Sequence, residues 1–146
     1  VIQWHVIAMF APSFFTGFLV ARFGVWWMIV LGGLLYGLVV VFALGGVSFW
    51  HYFIALFLLG LGWNFLFVTG TTLIARIAKP VERGRVQGVS DLIIFACVAI
   101  ASLSAGVLHS MIGWDGLVLS CLLPMGLIMV MLLATPQSRL DAEKDL

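Results

Sequence analysis

The sequence predicts an all-α membrane protein of five transmembrane helices, and three observations carry that reading. Hydrophobic residues make up 64% of the 146 and charged residues 9%. The charges sit at a few points, so that residues 1–21, 25–75, 92–114 and 116–138 contain no Asp, Glu, Lys or Arg. These runs are continuous rather than alternating, which suits helices whose backbone groups bond internally in lipid and not the strands of a barrel. Crossing about 30 Å of hydrocarbon takes roughly 20 apolar residues, and turn signals cut the runs into pieces of that size.

The first helix, 2–20, stops where Arg22 and Gly24 supply a charge followed by a C-terminal glycine. The second, 25–44, ends at Gly45 and Gly46. Ser48 is the expected N-cap of the third, 49–74, which is long enough to tilt or to extend past the bilayer. The fourth, 87–109, follows the charged segment 76–85, and the fifth, 117–134, begins after Gly116. Pro12 and Pro124 fall inside the first and fifth and predict kinks there. Residues 139–146 read as a charged C-terminal tail.

The basic residues set the orientation. Arg22 lies in the first loop, Arg76, Lys79, Arg83 and Arg85 in the third, and Arg139 and Lys144 in the tail, whereas the loops at 45–47 and around Asp115 have none. Positive charge marks cytoplasmic loops, so the first loop, the third loop and the C-terminus are expected inside and the N-terminus outside. Val1 is preceded by no Met and no basic leader that would carry that end across, so upstream helices are expected and the chain reads as the C-terminal portion of a larger protein. Cys97 and Cys121 lie within helices, without metal-ligand spacing, and read as small apolar fillers.

Sliding the sequence by 89 positions aligns Ser13 with Ser102, Gly17 with Gly106, Leu19 with Leu108 and Gly24 with Gly113, and then Gly37 with Gly126 and Val41 with Val130. That offset spans three helices, so the two copies have opposite orientation. Inverted three-helix repeats are a construction of secondary transporters.

The residues that carry the pattern resemble those of the major facilitator superfamily. GFLVARFG at 17–24 is similar to its loop signature Gly-x-x-x-Asp-Arg-x-Gly: Gly17, Arg22 and Gly24 match, while Ala21 stands at the Asp position and Val25 and Trp26 replace the following basic pair. LLGLGWNFLF (58–67), ERGRVQGVSD (82–91) and SLSAGVLHSMIGW (102–114) resemble helix ten, the next loop and helix eleven of bacterial members. The resemblance implies helices eight to twelve of a twelve-helix bundle in a bacterial inner (plasma) membrane. It also implies alternating-access transport of a small-molecule substrate, with no cofactor and no enzymatic step.

It further implies that the third helix lines the central cavity. Gly60, Asn64, Phe67 and Thr71 recur there at helical spacing with Trp63 beside them. An amide at mid-membrane depth needs either a partner or a wet cavity, so Asn64 is expected to face substrate or to bond a neighbouring helix. His5, deeper in its helix than the other histidines, is a further candidate for the cavity. Asp91 is the one carboxylate inside an expected membrane helix. It can serve as a proton-coupling group or as an ion-pair partner of Arg22, Arg76 or Arg83 in a cytoplasmic latch, with Arg22 the preferred partner because Ala21 has displaced the usual acid.

Two other readings compete. His5, His51 and His109 all fall toward the outer face and would be the ligands of a haem- or metal-binding subunit, although none has a second His at ligand spacing. A stand-alone scaffold would use the small-residue spacings Gly33 to Gly37 and Ser102 to Gly106 as association faces. Phosphate-cradling glycine loops, nucleophile triads and nucleic-acid-binding basic patches are absent from the sequence, whose partners are otherwise the lipid bilayer and the missing helices of the same protein.

Overall fold

The computed structural model describes residues 1–135, all of whose regular structure is helical. The tail 139–146, with Arg139 and Lys144, lies outside the described residues. α1 (Ile2–Phe10) and α2 (Ser13–Phe23) form one bent span, the two segments meeting at 45° beside Pro12. α3 (Val25–Leu44) and α4 (Phe49–Ile77) follow, and then α5 (Arg83–Ser120) and α6 (Leu122–Ala134). Ser48 does not cap α4 through its side chain; its hydroxyl pairs with His51 Nδ1 at 2.6 Å. α5 begins at Arg83, ahead of the expected start at 87.

Val25–Leu44, Phe49–Ile77 and the stretch Arg83–Ala134 are each long and apolar enough to cross a membrane, and the bent pair α1–α2 makes a fourth if it counts as one span. Arg83–Ala134 is bent rather than straight. Ile94 and Ala101 line the same cavity as Cys121, Pro124, Met125 and Ile128, so the chain doubles back between them. It does so at Gly113, whose φ of 70° and ψ of −176° break the helix. Gly24, at φ 91° and ψ 161°, makes the turn between α2 and α3. These are the two positive-φ glycines of the described residues, and the 89-residue offset aligns one with the other. Both lie in a region of backbone space that is essentially reserved for glycine. The second break in the last pass is at Cys121 rather than at Pro124 itself. A proline lacks the N–H that would bond the carbonyl four residues back, here Ser120, so the ladder fails upstream of the ring.

Contacts give the directions. Gly32 lies under Leu66, Gly62 under Tyr36, and Ala43 shares a buried cluster with Ala55, so α3 and α4 are antiparallel. His5 meets Leu56 and Met9 meets Asn64, so α1 runs parallel to α4. Trp114 Nε1 donates to the Ala43 carbonyl at 3.1 Å, which fixes the Gly113 turn to the end of α3. Arg22, Arg76, Lys79, Arg83 and Arg85 therefore gather at one end of the bundle, and Asp115 lies at the other. The buried core is small: Val20, Val25, Met28 and Phe65 near the basic end, and Ala43, Ala55 and Val118 near the opposite end. Most other large apolar side chains face outward, as a bilayer-embedded surface requires.

Candidate functional site

α4 presents two faces of different chemistry. On the first, Asn64 is 1% exposed and fully engaged. Its Nδ2 donates to the Met9 carbonyl at 2.7 Å and to Ser13 Oγ at 2.5 Å, and its Oδ1 accepts from Thr16 Oγ1 at 2.5 Å. His5 Nδ1 donates to the Leu56 carbonyl at 2.7 Å one level away. Between those two levels Gly60 leaves room for the His5 carbonyl and for Ala8, whose Cβ would lie 3.0 Å from a Cβ added at Gly60. In this conformation the Asn64 amide is bonded to the α1–α2 segment and His5 Nδ1 to Leu56 of α4, and neither residue is among those lining the cavity described next. Thr71 likewise spends its hydroxyl on the Val68 carbonyl of its own helix, at 3.0 Å.

The second face lies about 100° around the helix from Asn64, at Trp63. Trp63 and Phe67 stack in parallel, centroids 5.7 Å apart and planes 12° apart, and Phe95 of α5 tilts against Phe67 at 6.2 Å. Trp63 and Phe67 wall an open-sided cavity of about 580 Å³ between α3, α4, α5 and α6, lined also by Tyr36, Ile94, Pro124 and Ile128. A second cavity of about 260 Å³ shares Tyr36, Cys121 and Met125 as walls and runs toward Tyr52 and Trp114. Their linings are apolar and aromatic, with the Tyr36 phenol the polar side chain common to both. Such a site holds a planar or apolar body by stacking and dispersion.

The residues expected to form a latch are positioned as follows. Gly17 faces open space on α2, and Gly24 forms the buried turn after it. The Arg22 guanidinium lies over the Phe23 ring at 5.8 Å, and Asp91 accepts from Gln87 Nε2 at 3.5 Å, so this conformation does not bring Arg22 and Asp91 together. Arg83 is exposed, and Arg76 Nη1 is buried without a hydrogen-bond partner among the described residues. The histidines sit on three different elements: His5 bonds Leu56, His51 bonds Ser48, and His109 packs edge-on against Trp114 at 6.5 Å.

The comparison with known families adds the decisive observation. The family profile described as Major Facilitator Superfamily matches residues 3–145. The chain belongs to that superfamily. It is 48% identical over 114 residues to the riboflavin transporter RfnT of Brucella anthropi, a match that takes in 78% of this chain and 29% of that protein. Two Bacillus subtilis proteins bearing the name MFS-type transporter, YdeG and YddS, are 41% and 38% identical over 115 residues, each covering 77% of this chain. This chain thus spans between 25% and 29% of the length of these relatives. No solved structure matches it.

Membership of the major facilitator superfamily makes this a transporter-family chain and not an enzyme, and it favours neither the haem subunit nor the free-standing scaffold. Sequence reasoning did not select Phe95, Tyr36, Ser13 or Thr16. Ser13 carried a signal, since the repeat aligns it with Ser102, but the signal named no partner. Phe95 and Tyr36 carried none, because their roles arise from contacts between helices.

Proposed function

We propose that the chain is the C-terminal part of a secondary transporter that moves a planar aromatic solute of the riboflavin kind across a bacterial inner membrane by alternating access. The observation that carries the reading is the parallel Trp63–Phe67 pair on the wall of an apolar cavity, with Phe95 tilted against it. A flat heteroaromatic ring can add to such a stack over the whole of its face. The 48% identity to a riboflavin transporter supports the same solute class. In this reading the end that gathers Arg22, Arg76, Lys79, Arg83 and Arg85 is cytoplasmic. Arg22 and Asp91, apart in this conformation, pair in the state that closes that end.

The test is riboflavin uptake by the full-length protein in cells that neither make nor import it. Wild type should restore growth on low riboflavin. Trp63→Ala and Phe67→Ala should each raise the concentration for half-maximal uptake about 5- to 150-fold, the equivalent of roughly 1 to 3 kcal/mol of lost stacking on a heteroaromatic ring. Uptake unchanged in both variants, at equal expression, refutes the assignment of this face.

A further inference from the structure

The α1–α2 span is held together across its break by a side chain of another helix. Pro12 has no N–H to offer the Ala8 carbonyl, and its ring displaces that carbonyl, so the backbone ladder is interrupted. At the elbow, Ala11 N–H bonds the Ile7 carbonyl and closes α1, while the N–H groups of Phe15 and Thr16 both bond the Pro12 carbonyl and open α2. None of these bonds ties one segment to the other. Asn64 does, taking the Met9 carbonyl of α1 with the same amide that takes Ser13 Oγ and Thr16 Oγ1 of α2.

The two segments are not anchored alike. α1 is fixed to α4 at a second level by the bond from His5 to Leu56 and by the close approach at Gly60. Beyond Thr16, α2 is held by the apolar packing of Val20 against Val25, Met28 and Phe65, which is non-directional. Thr16 itself has one hydroxyl proton and two acceptors in reach, Asn64 Oδ1 at 2.5 Å and the Pro12 carbonyl at 2.9 Å. It can satisfy only one at a time. Turned to Asn64, the hydroxyl fastens α2 to α4. Turned to Pro12, it satisfies α2 internally and releases that tie, and the Asn64 Oδ1 acceptor is the one atom that gives up its partner.

We propose that Asn64 is a positioning residue that pins the α1–α2 elbow, and that Thr16 is its release. α2, with Gly17, Arg22 and the Gly24 turn, swings about Pro12 against a fixed α1–α4 pair. The inference rests on the transport reading, since the swing is a step of alternating access, but not on the identity of the solute.

The experiment uses the full-length protein in lipid nanodiscs, cysteine-free apart from two spin-labelled positions. One pair, Phe18 on α2 and Ile77 at the end of α4, reports the swing; a second, Ile2 on α1 and Trp50 on α4, is the control. All four positions are exposed. Thr16→Val keeps the shape and removes the hydroxyl, and should shift the ratio of the two Phe18–Ile77 distance populations roughly three- to twentyfold, the range for one interhelical hydrogen bond in a membrane. Thr16→Ser should retain the wild-type ratio, and the control distance should stay fixed throughout. Pro12→Ala restores the backbone N–H, so Asn64→Leu should shift the populations when Pro12 is present and leave them unmoved when it is combined with Pro12→Ala.

A wild-type distribution in Thr16→Val, with and without riboflavin, overturns the proposal. So does an Asn64→Leu effect that is equal in both backgrounds, which would make the cluster static glue. A wrong solute shows itself separately, as absent riboflavin uptake in wild type, and leaves the riboflavin-free distance ratio readable.

Discussion

Replacing Gly113 by alanine isolates the backbone requirement of the last hairpin. At φ 70° and ψ −176° this residue occupies a region where a Cβ clashes with its own backbone, at a cost of about 1 to 3 kcal/mol. An added Cβ would meet nothing within 4 Å, so packing contributes no part of that cost. Gly126 of α6 is the control: it is equally open but helical, and alanine there is expected to be neutral or to stabilise by about 0.5 to 1 kcal/mol. The two substitutions should therefore differ by roughly 1 to 4 kcal/mol, most of that range exceeding tenfold in the folded-to-unfolded ratio. Denaturant titration of the full-length protein in mixed micelles measures this directly. Gly24→Ala should fall with Gly113→Ala, since its repeat partner has the same kind of backbone at φ 91° and ψ 161°. Stabilities of Gly113→Ala and Gly126→Ala within about 0.5 kcal/mol of each other would refute the hairpin geometry, and with it the packing of α6 along the cavity.

Orientation is checked by single cysteines in a background lacking Cys97 and Cys121: those at Gly46 and Asp115 should react with an impermeant thiol reagent added to intact cells and one at Lys79 should not, and labelling at Lys79 would invert the topology. Asp91→Asn in the full-length protein should impair uptake, by leaving the closed latch about 1 to 3 kcal/mol weaker through the loss of one partner of a partly buried pair. The charge reversal Arg22→Asp with Asp91→Arg should recover part of it. Failure of the reversal, together with lost proton dependence in Asp91→Asn alone, would assign Asp91 to coupling instead.

The helices were legible because the bilayer imposes a length and a composition that charge-free runs meet one by one. The Gly113 hairpin was legible through the repeat, since the offset paired it with Gly24 before any backbone angle was known. Pro12 marked the elbow for a local reason, the missing N–H. The same reasoning was less exact for Pro124, because the lost bond belongs to a carbonyl four residues earlier and the break surfaces at Cys121. Periodicity also grouped Gly60, Asn64, Phe67 and Thr71 on one face, and here it reached its limit. A helical stripe is more than about 100° wide, and whichever helix lies opposite each edge of it decides what the residues do.

That width separates the roles of adjacent residues. Asn64 and Trp63 are neighbours in sequence, yet one is bonded into the α1–α2 elbow and the other stacks on the cavity side. A membrane helix cannot leave an amide facing lipid or a dry apolar cavity, so Asn64 belongs on the side where broken backbone offers acceptors. Trp63 and Phe67, with no such demand, belong where the wall is apolar. The division follows from polarity once the position of Pro12 is known, because a proline break is the local source of unmet carbonyls in an otherwise self-satisfied helix. A single turn of α4 joins the two faces without any intervening loop. The sequence feature that encodes this connection is a pair, Pro12 on one helix and Asn64 on another, and no single-helix pattern contains both.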